Sequence, residues 1–134
     1  MIVQKDILNL VYICKSLGLD AAADYWEQVI IMNNHQRSRF AQQIVTSLYG
    51  TVAGKKIGFL GWAFKKDTND TRESAAIYIA DKLIEEQAHI QVYDPKVTAD
   101  QIYLDLNGLN SRTESENDKY LEIHNDPYNA LKGT

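Results

Sequence analysis

Between residues 57 and 95 the chain runs through a short apolar stretch, a polar loop, a helical pattern and a second apolar stretch, and this alternation constrains the fold most. Residues 57–60 read as a strand buried on both faces. Ala76, Ile77, Ile79, Ala80, Leu83 and Ile84 recur at helical spacing within residues 74–86, where Ser74 can cap the helix start. Residues 90–93 read as a second strand, stopped by Asp94-Pro95. Strand, helix and strand in that order predict a parallel βαβ unit with a right-handed crossover. Downstream, residues 99–106 predict a short helix, residues 121–123 an edge strand and residues 127–131 a small helix. Residues 107–119 are rich in Asn, Ser, Glu and Asp and predict a mobile surface insert.

The first part of the chain follows a different period. Ile7, Leu8, Leu10, Val11, Cys14 and Leu17 predict a helix that Gly18 stops, with Asp6 or Asp20 as candidate N-caps. A second helix is expected over residues 22–49, from Tyr25, Trp26, Val29, Ile30, Met32, Phe40, Ile44, Val45 and Leu48. At ~1.5 Å per residue it would be about 40 Å long, more than a small domain needs. Helices of that length bridge domains or build subunit interfaces. Gly50 and Gly54 then mark the change to the βαβ pattern.

Composition removes several function classes. A formal charge of −4 offers no broad basic surface for nucleic acid. No apolar run approaches the ~20 residues that cross a bilayer, and early charges such as Lys5 and Asp6 argue against a signal peptide, so a cytoplasmic protein is expected. Cys14 is the single cysteine, which precludes an internal disulfide. On the apolar face of its helix, it reads as a core residue. His35, His89 and His124 are scattered without ligand spacing, so no metal site is expected.

The loop between the first strand and its helix concentrates charge. Lys65, Lys66 and Arg72 lie within it, at the carboxyl end of a parallel strand where α/β folds bind ligands. Lysine acts on phosphate as a point charge and arginine can grip it bidentately. The plainer alternative is a solvated loop whose Lys-Lys-Asp and Asp-Thr-Arg-Glu charges pair locally. A dinucleotide would call for G-x-G-x-x-G here, whereas only Gly58 and Gly61 are present, followed by bulky Trp62 and Phe64. Asp94 ends the second strand where a ribose-binding acid often sits, but lies well beyond the ~20 residues of that fingerprint. NAD is therefore not the expected ligand of this unit.

Five segments together resemble the UDP-glucose 6-dehydrogenase family, within the broader group of UDP-sugar and GDP-mannose dehydrogenases. They are Gln4-Lys5-Asp6-Ile7-Leu8-Asn9-Leu10, residues 25–40, Phe64-Lys65-Lys66-Asp67-Thr68, Asp70-Thr71-Arg72-Glu73-Ser74 and Tyr93-Asp94-Pro95-Lys96-Val97. The resemblance implies an α/β fold, with a long helical dimerisation segment over residues 1–52 and an incomplete Rossmann-like, UDP-binding βαβ domain over residues 53–134. It implies an oxidoreductase converting UDP-glucose to UDP-glucuronate in two NAD-dependent oxidations through a cysteine thioester, and assembly as a homo-dimer or higher homo-oligomer. By the same resemblance Phe64 and Lys65 match substrate contacts, and Gln4, Lys5 and Arg72 match positions near the NAD. Asp6 matches an acid supporting the catalytic water or base, and Ser47, Leu48, Tyr49, Gly50 and Thr51 match a stretch tied to oligomer assembly. The family reads Gly-Gly-Ser-Cys-Phe just before Gln-Lys-Asp, so Ile2 stands here in the nucleophile's place. The chain is accordingly expected to be a piece of such an enzyme, inactive alone. The alternative is a non-catalytic module that dimerises or binds a nucleotide sugar.

Overall fold

A computed structural model describes residues 4–134 of the chain. In order, the elements are α1 (Gln4–Ser16), α2 (Asp20–Ser47), β1 (Lys56–Leu60), α3 (Ala75–Glu85), β2 (His89–Tyr93), α4 (Ala99–Asn107), α5 (Glu114–Tyr120), β3 (Leu121–Ile123) and α6 (Pro127–Ala130). They form two compact units, the first ending at Arg39 and the second spanning Phe40–Thr134.

In the first unit, Ile7, Val11 and Cys14 of α1 bury together with Ala23 and Ile30 of α2, and Trp26 and Val29 pack around them. Cys14 is thus the core residue its place in the apolar pattern predicts. Gly18 ends α1 with φ +71°, a conformation favoured by glycine. The turn lets the Leu19 N–H reach the Cys14 carbonyl at 2.8 Å and the Gly18 N–H reach that of Lys15 at 3.1 Å. This paired arrangement is a Schellman stop. The expected aspartate caps are not found. Asp6 lies inside the first turn of α1, and Asp20 is already helical while the Leu19 carbonyl accepts from Ala23 at 3.0 Å.

The second unit holds a parallel sheet of order β1-β2-β3. Lys56 pairs with His89 and Leu60 with Tyr93 across β1 and β2, while Ile90 pairs with Leu121 across β2 and β3. The central strand is covered on both faces, as a parallel sheet requires. Ile90 and Val92 point to one face and are fully buried, whereas Gln91 points to the other and is also buried. With its amide turned so that both ends find partners, Gln91 donates to the Ala130 carbonyl of α6 at 3.3 Å and accepts from Lys56 Nζ at 3.2 Å. On the aliphatic side Ile77, Ala80, Leu83 and Ile84 of α3 join Ile102 and Leu106 of α4 in one core. Ala41, Ile44 and Val45 near the end of α2, and Leu48 just beyond it, belong to the same cluster.

Ser74 caps α3, its hydroxyl accepting from the Ala76 N–H at 3.3 Å and donating to the Trp62 carbonyl at 2.7 Å. The helix stops in a second Schellman turn, with Ala88 N–H bonded to Leu83 and Gln87 N–H to Ile84. Gln87, not glycine, occupies the left-handed position at φ +63°. Relief of ~1–2 kcal/mol of left-handed strain outweighs the ~0.4–1 kcal/mol that glycine adds to the unfolded chain's freedom. Gln87 is exposed, so Gln87→Gly loses little packing and should stabilise the unit by about 0.5–1 kcal/mol, measured as a raised urea midpoint.

Residues 107–119 are not the mobile insert their composition suggests. They include α5, opened by a capping box in which Thr113 accepts from the Glu116 N–H and Glu116 accepts from the Thr113 N–H. Backbone and hydroxyl donors on Thr113 hold the Glu116 carboxyl below its ordinary range. Asn117 is buried and bonds to Asn107 at 2.7 Å, while Arg112 pairs with Asp81 of α3. Side-chain anchors rather than apolar periodicity fix this segment.

Candidate functional site

The carboxyl ends of β1 and β2 open into a cleft of ≈ 590 Å³. One wall is the loop after β1, with Gly61, Ala63, Lys65, Lys66, Asp67 and Thr68. The other is Tyr93-Asp94-Pro95-Lys96 at the end of β2, and Pro127 at the start of α6 closes a side. Gly61 turns the chain out of β1 at φ +109°, a region open in practice to glycine alone, while its N–H keeps the last sheet bond to Tyr93 at 2.8 Å. Trp62 then plunges into the core, fully buried, with its indole N–H on Asp105 at 3.1 Å.

Asp94 joins the two walls. One carboxylate oxygen accepts from the Trp62 and Ala63 N–H groups at 2.7 and 3.2 Å, and the other from those of Lys96 and Val97 at 2.7 and 2.9 Å. Partial burial opposes its charge most strongly, yet the four donors together outweigh that penalty and lower its pKa from 3.8. Asp94 at the end of β2 is therefore occupied by backbone rather than turned to a ribose. The Asp-Pro-Lys turn makes half of this pattern readable from the sequence, because Asp bonds the N–H two residues on. The bonds to Trp62 and Ala63 come from distant sequence and leave no local signal.

The residues singled out from the sequence fall in different places. Lys65 and Lys66 line the cleft and are exposed, with Lys66 Nζ 3.9 Å from Asp67. The Phe64 ring lies 5.2 Å from Lys65 Nζ, and the Phe64 N–H bonds the Asp70 carbonyl at 3.0 Å. Arg72 does not line the cleft: its guanidinium grips the Asp70 carboxylate at 2.9 and 2.6 Å in the local pairing the plainer alternative describes. Lys96 and Pro127, to which the sequence alone assigns no site role, do line it. Gln4, Lys5 and Asp6 open α1 in the first unit, and Ile2 lies outside the described residues. Ser47 ends α2. Leu48 to Thr51 form its stop, with Gly50 N–H on Val45 at 2.9 Å, Tyr49 almost fully exposed and Lys55 Nζ on the Leu48 carbonyl at 2.5 Å.

These groups suit an anionic ligand with an apolar portion. Three lysines supply charge, while Tyr93, Pro95 and Pro127 supply apolar walls. The turn does not fit a dinucleotide pyrophosphate: Trp62 and Phe64 replace the glycines, and Ser74 already satisfies the Ala76 N–H at the start of α3. Among the described residues no cluster of His, Cys, Asp and Glu is placed to hold a metal ion, and no helix is long and apolar enough to cross a membrane.

Fold and cleft define a parallel α/β unit with a lysine-lined cleft at its strand ends, and comparison with known proteins gives it a family. Residues 58–134 match the family model described as "UDP-glucose/GDP-mannose dehydrogenase family, UDP binding domain", and the chain belongs to that family. It is 52% identical over 130 residues to the UDP-glucose 6-dehydrogenase of Rattus norvegicus, covering 97% of this chain and 26% of the relative. To that of Drosophila melanogaster it is 53% identical over 133 residues, covering 98% and 28%. A solved UDP-glucose dehydrogenase from Pyrobaculum islandicum superposes with a TM-score of 0.66 at 29% identity, covering 96% of this chain and 26% of that one. The chain thus spans about a quarter of the length of these relatives.

Proposed function

We propose that the chain is the nucleotide-sugar-binding portion of an NAD-dependent oxidoreductase that converts UDP-glucose to UDP-glucuronate. The observation that carries this reading is the lysine-lined cleft at the carboxyl ends of β1 and β2, within the segment matched by a UDP binding domain. Lys65 meets the pyrophosphate of the sugar nucleotide and Phe64 orients it. In the assembled enzyme Arg72, Gln4 and Lys5 border the NAD, whose own binding fold lies outside this chain, and Asp6 supports the catalytic water. Residues 1–52 are the helical assembly region and residues 53–134 the UDP-binding lobe of a cytoplasmic homo-oligomer.

The only thiol, Cys14, is buried, which supports the reading that the chain alone is inactive. An assembly role for α1 and α2 is favoured by Tyr12, Tyr25, Ile31 and Met32, all more than half exposed. A strictly monomeric chain by light scattering would remove that role.

Calorimetry tests the site. UDP should bind the intact chain, and Lys65→Ala should weaken it about tenfold or more, since a hydrogen bond to a charged group is worth ~1.5–3 kcal/mol. Absence of UDP binding, or equal binding by the variant, would count against the assignment of Lys65 to the pyrophosphate.

A further inference from the structure

We infer that Asp94 is the positioning residue of the cleft: by accepting four main-chain N–H groups, it locks the loop after β1 and the loop after β2 at one separation, so that both can engage one sugar nucleotide. The inference rests on the reading of the cleft as a UDP site. The two loops are distant in sequence and carry the opposing walls, Lys65 to Thr68 on one side and Pro95 and Lys96 on the other. Between the loops, Asp94 Oδ2 holds Trp62 and Ala63 while Oδ1 holds Lys96 and Val97, all within 3.2 Å. One carboxylate thus crosslinks four consecutive-pair amides from the two walls. The bonds are assisted by its negative charge, which makes them shorter and stronger than neutral ones. The bases of both walls are themselves fixed, through the buried Trp62 ring on one side and the buried Val97 on the other. A ligand that spans the cleft therefore meets a preformed pair of walls and does not have to order them, which is where affinity is gained.

Asn keeps the shape of Asp but offers one acceptor oxygen and replaces the other by a donor. It can hold one loop and must release the other. In the full 134-residue chain, Asp94→Asn is expected to raise the Kd for UDP about tenfold by calorimetry. Amide exchange at either Trp62 and Ala63 or Lys96 and Val97 should accelerate, and UDP-induced NMR shifts that span both loops in the wild type should be confined to one. Asp81→Asn is the control: it weakens the pairing with Arg112 away from the cleft and should lower the melting temperature with the UDP Kd unchanged.

Equal UDP affinity of wild type and Asp94→Asn overturns the positioning role while leaving the UDP site standing. No UDP binding by the wild type overturns both. Should Asp94→Asn fail to fold, the wild type still decides. Protection of all four amides and UDP shifts in both loops support the role, and exchange at exposed-loop rates overturns it.

Discussion

Replacing Trp62 with alanine should cost the second unit about 3–5 kcal/mol, the range for deleting a large buried aromatic. That is a large share of the ~5–15 kcal/mol by which a domain is held folded. Trp62 is fully buried one residue beyond the Gly61 turn, packs beside Phe59 at 6.3 Å between ring centroids, and donates to Asp105. Its carbonyl takes the Ser74 hydroxyl, so the start of α3 is tied to the same residue. Truncation would empty the space beneath the cleft and leave the Asp105 oxygen without its indole partner. Urea unfolding followed by far-UV circular dichroism should show a large fall in midpoint at unchanged slope. Trp62→Phe, which keeps most of the ring volume, should lose much less. A loss below 1 kcal/mol in Trp62→Ala would mean that the loop does not depend on this side chain.

The second large effect concerns Asp81 and Arg112. The Arg112 guanidinium pairs with the Asp81 carboxylate, bonds the Asp81 carbonyl at 3.2 Å and donates to Asn117 at 3.2 Å. Side-chain exposures of 15% and 19% leave Arg112 and Asp81 mostly out of water. Asp81→Ala strands a largely buried cation and should cost about 2–3 kcal/mol, below the ~3–5 kcal/mol for fully buried pairs because some solvent reaches it. Removing both charges with Asp81→Ala and Arg112→Met should recover much of that loss, since the desolvation cost of the cation goes with it. A double-mutant cycle measured by thermal unfolding checks this, and strictly additive losses would show that the pair is not coupled.

Trp62 and the Asp81–Arg112 pair illustrate why some of this molecule is readable from its sequence and some is not. The α3 stripe and Ile90–Tyr93 are legible because their pattern is local and the core simply accepts it, whereas Ile57–Leu60 is legible as a strand but lies part-exposed at the sheet edge instead of buried on both faces. The α5 segment lacks an apolar stripe, so composition points to disorder. Its one local signal is Thr113 followed three residues later by Glu116, and its tertiary anchor, Asp81, lies far upstream. At the site, Lys65 and Lys66 announce themselves as charge at a strand end. Arg72 announces itself equally and yet closes on Asp70, because an Asp two residues earlier offers a bidentate partner at short range. Lys96 and Pro127 carry no distinctive pattern and reach the cleft only through the sheet order.

That order has a consequence for handling the protein. β1 has a strand on one side, and among the described residues none on the other. Beyond Lys56 its sequence carries no charge, and Leu60 at its end is 59% exposed. Such an edge is a template for further strands. Self-association at high concentration can therefore proceed by sheet extension, beside the helix pairing proposed for α1 and α2. Slowed amide exchange at alternate residues of Lys56–Leu60 on association would mark the first route, and unchanged exchange there the second.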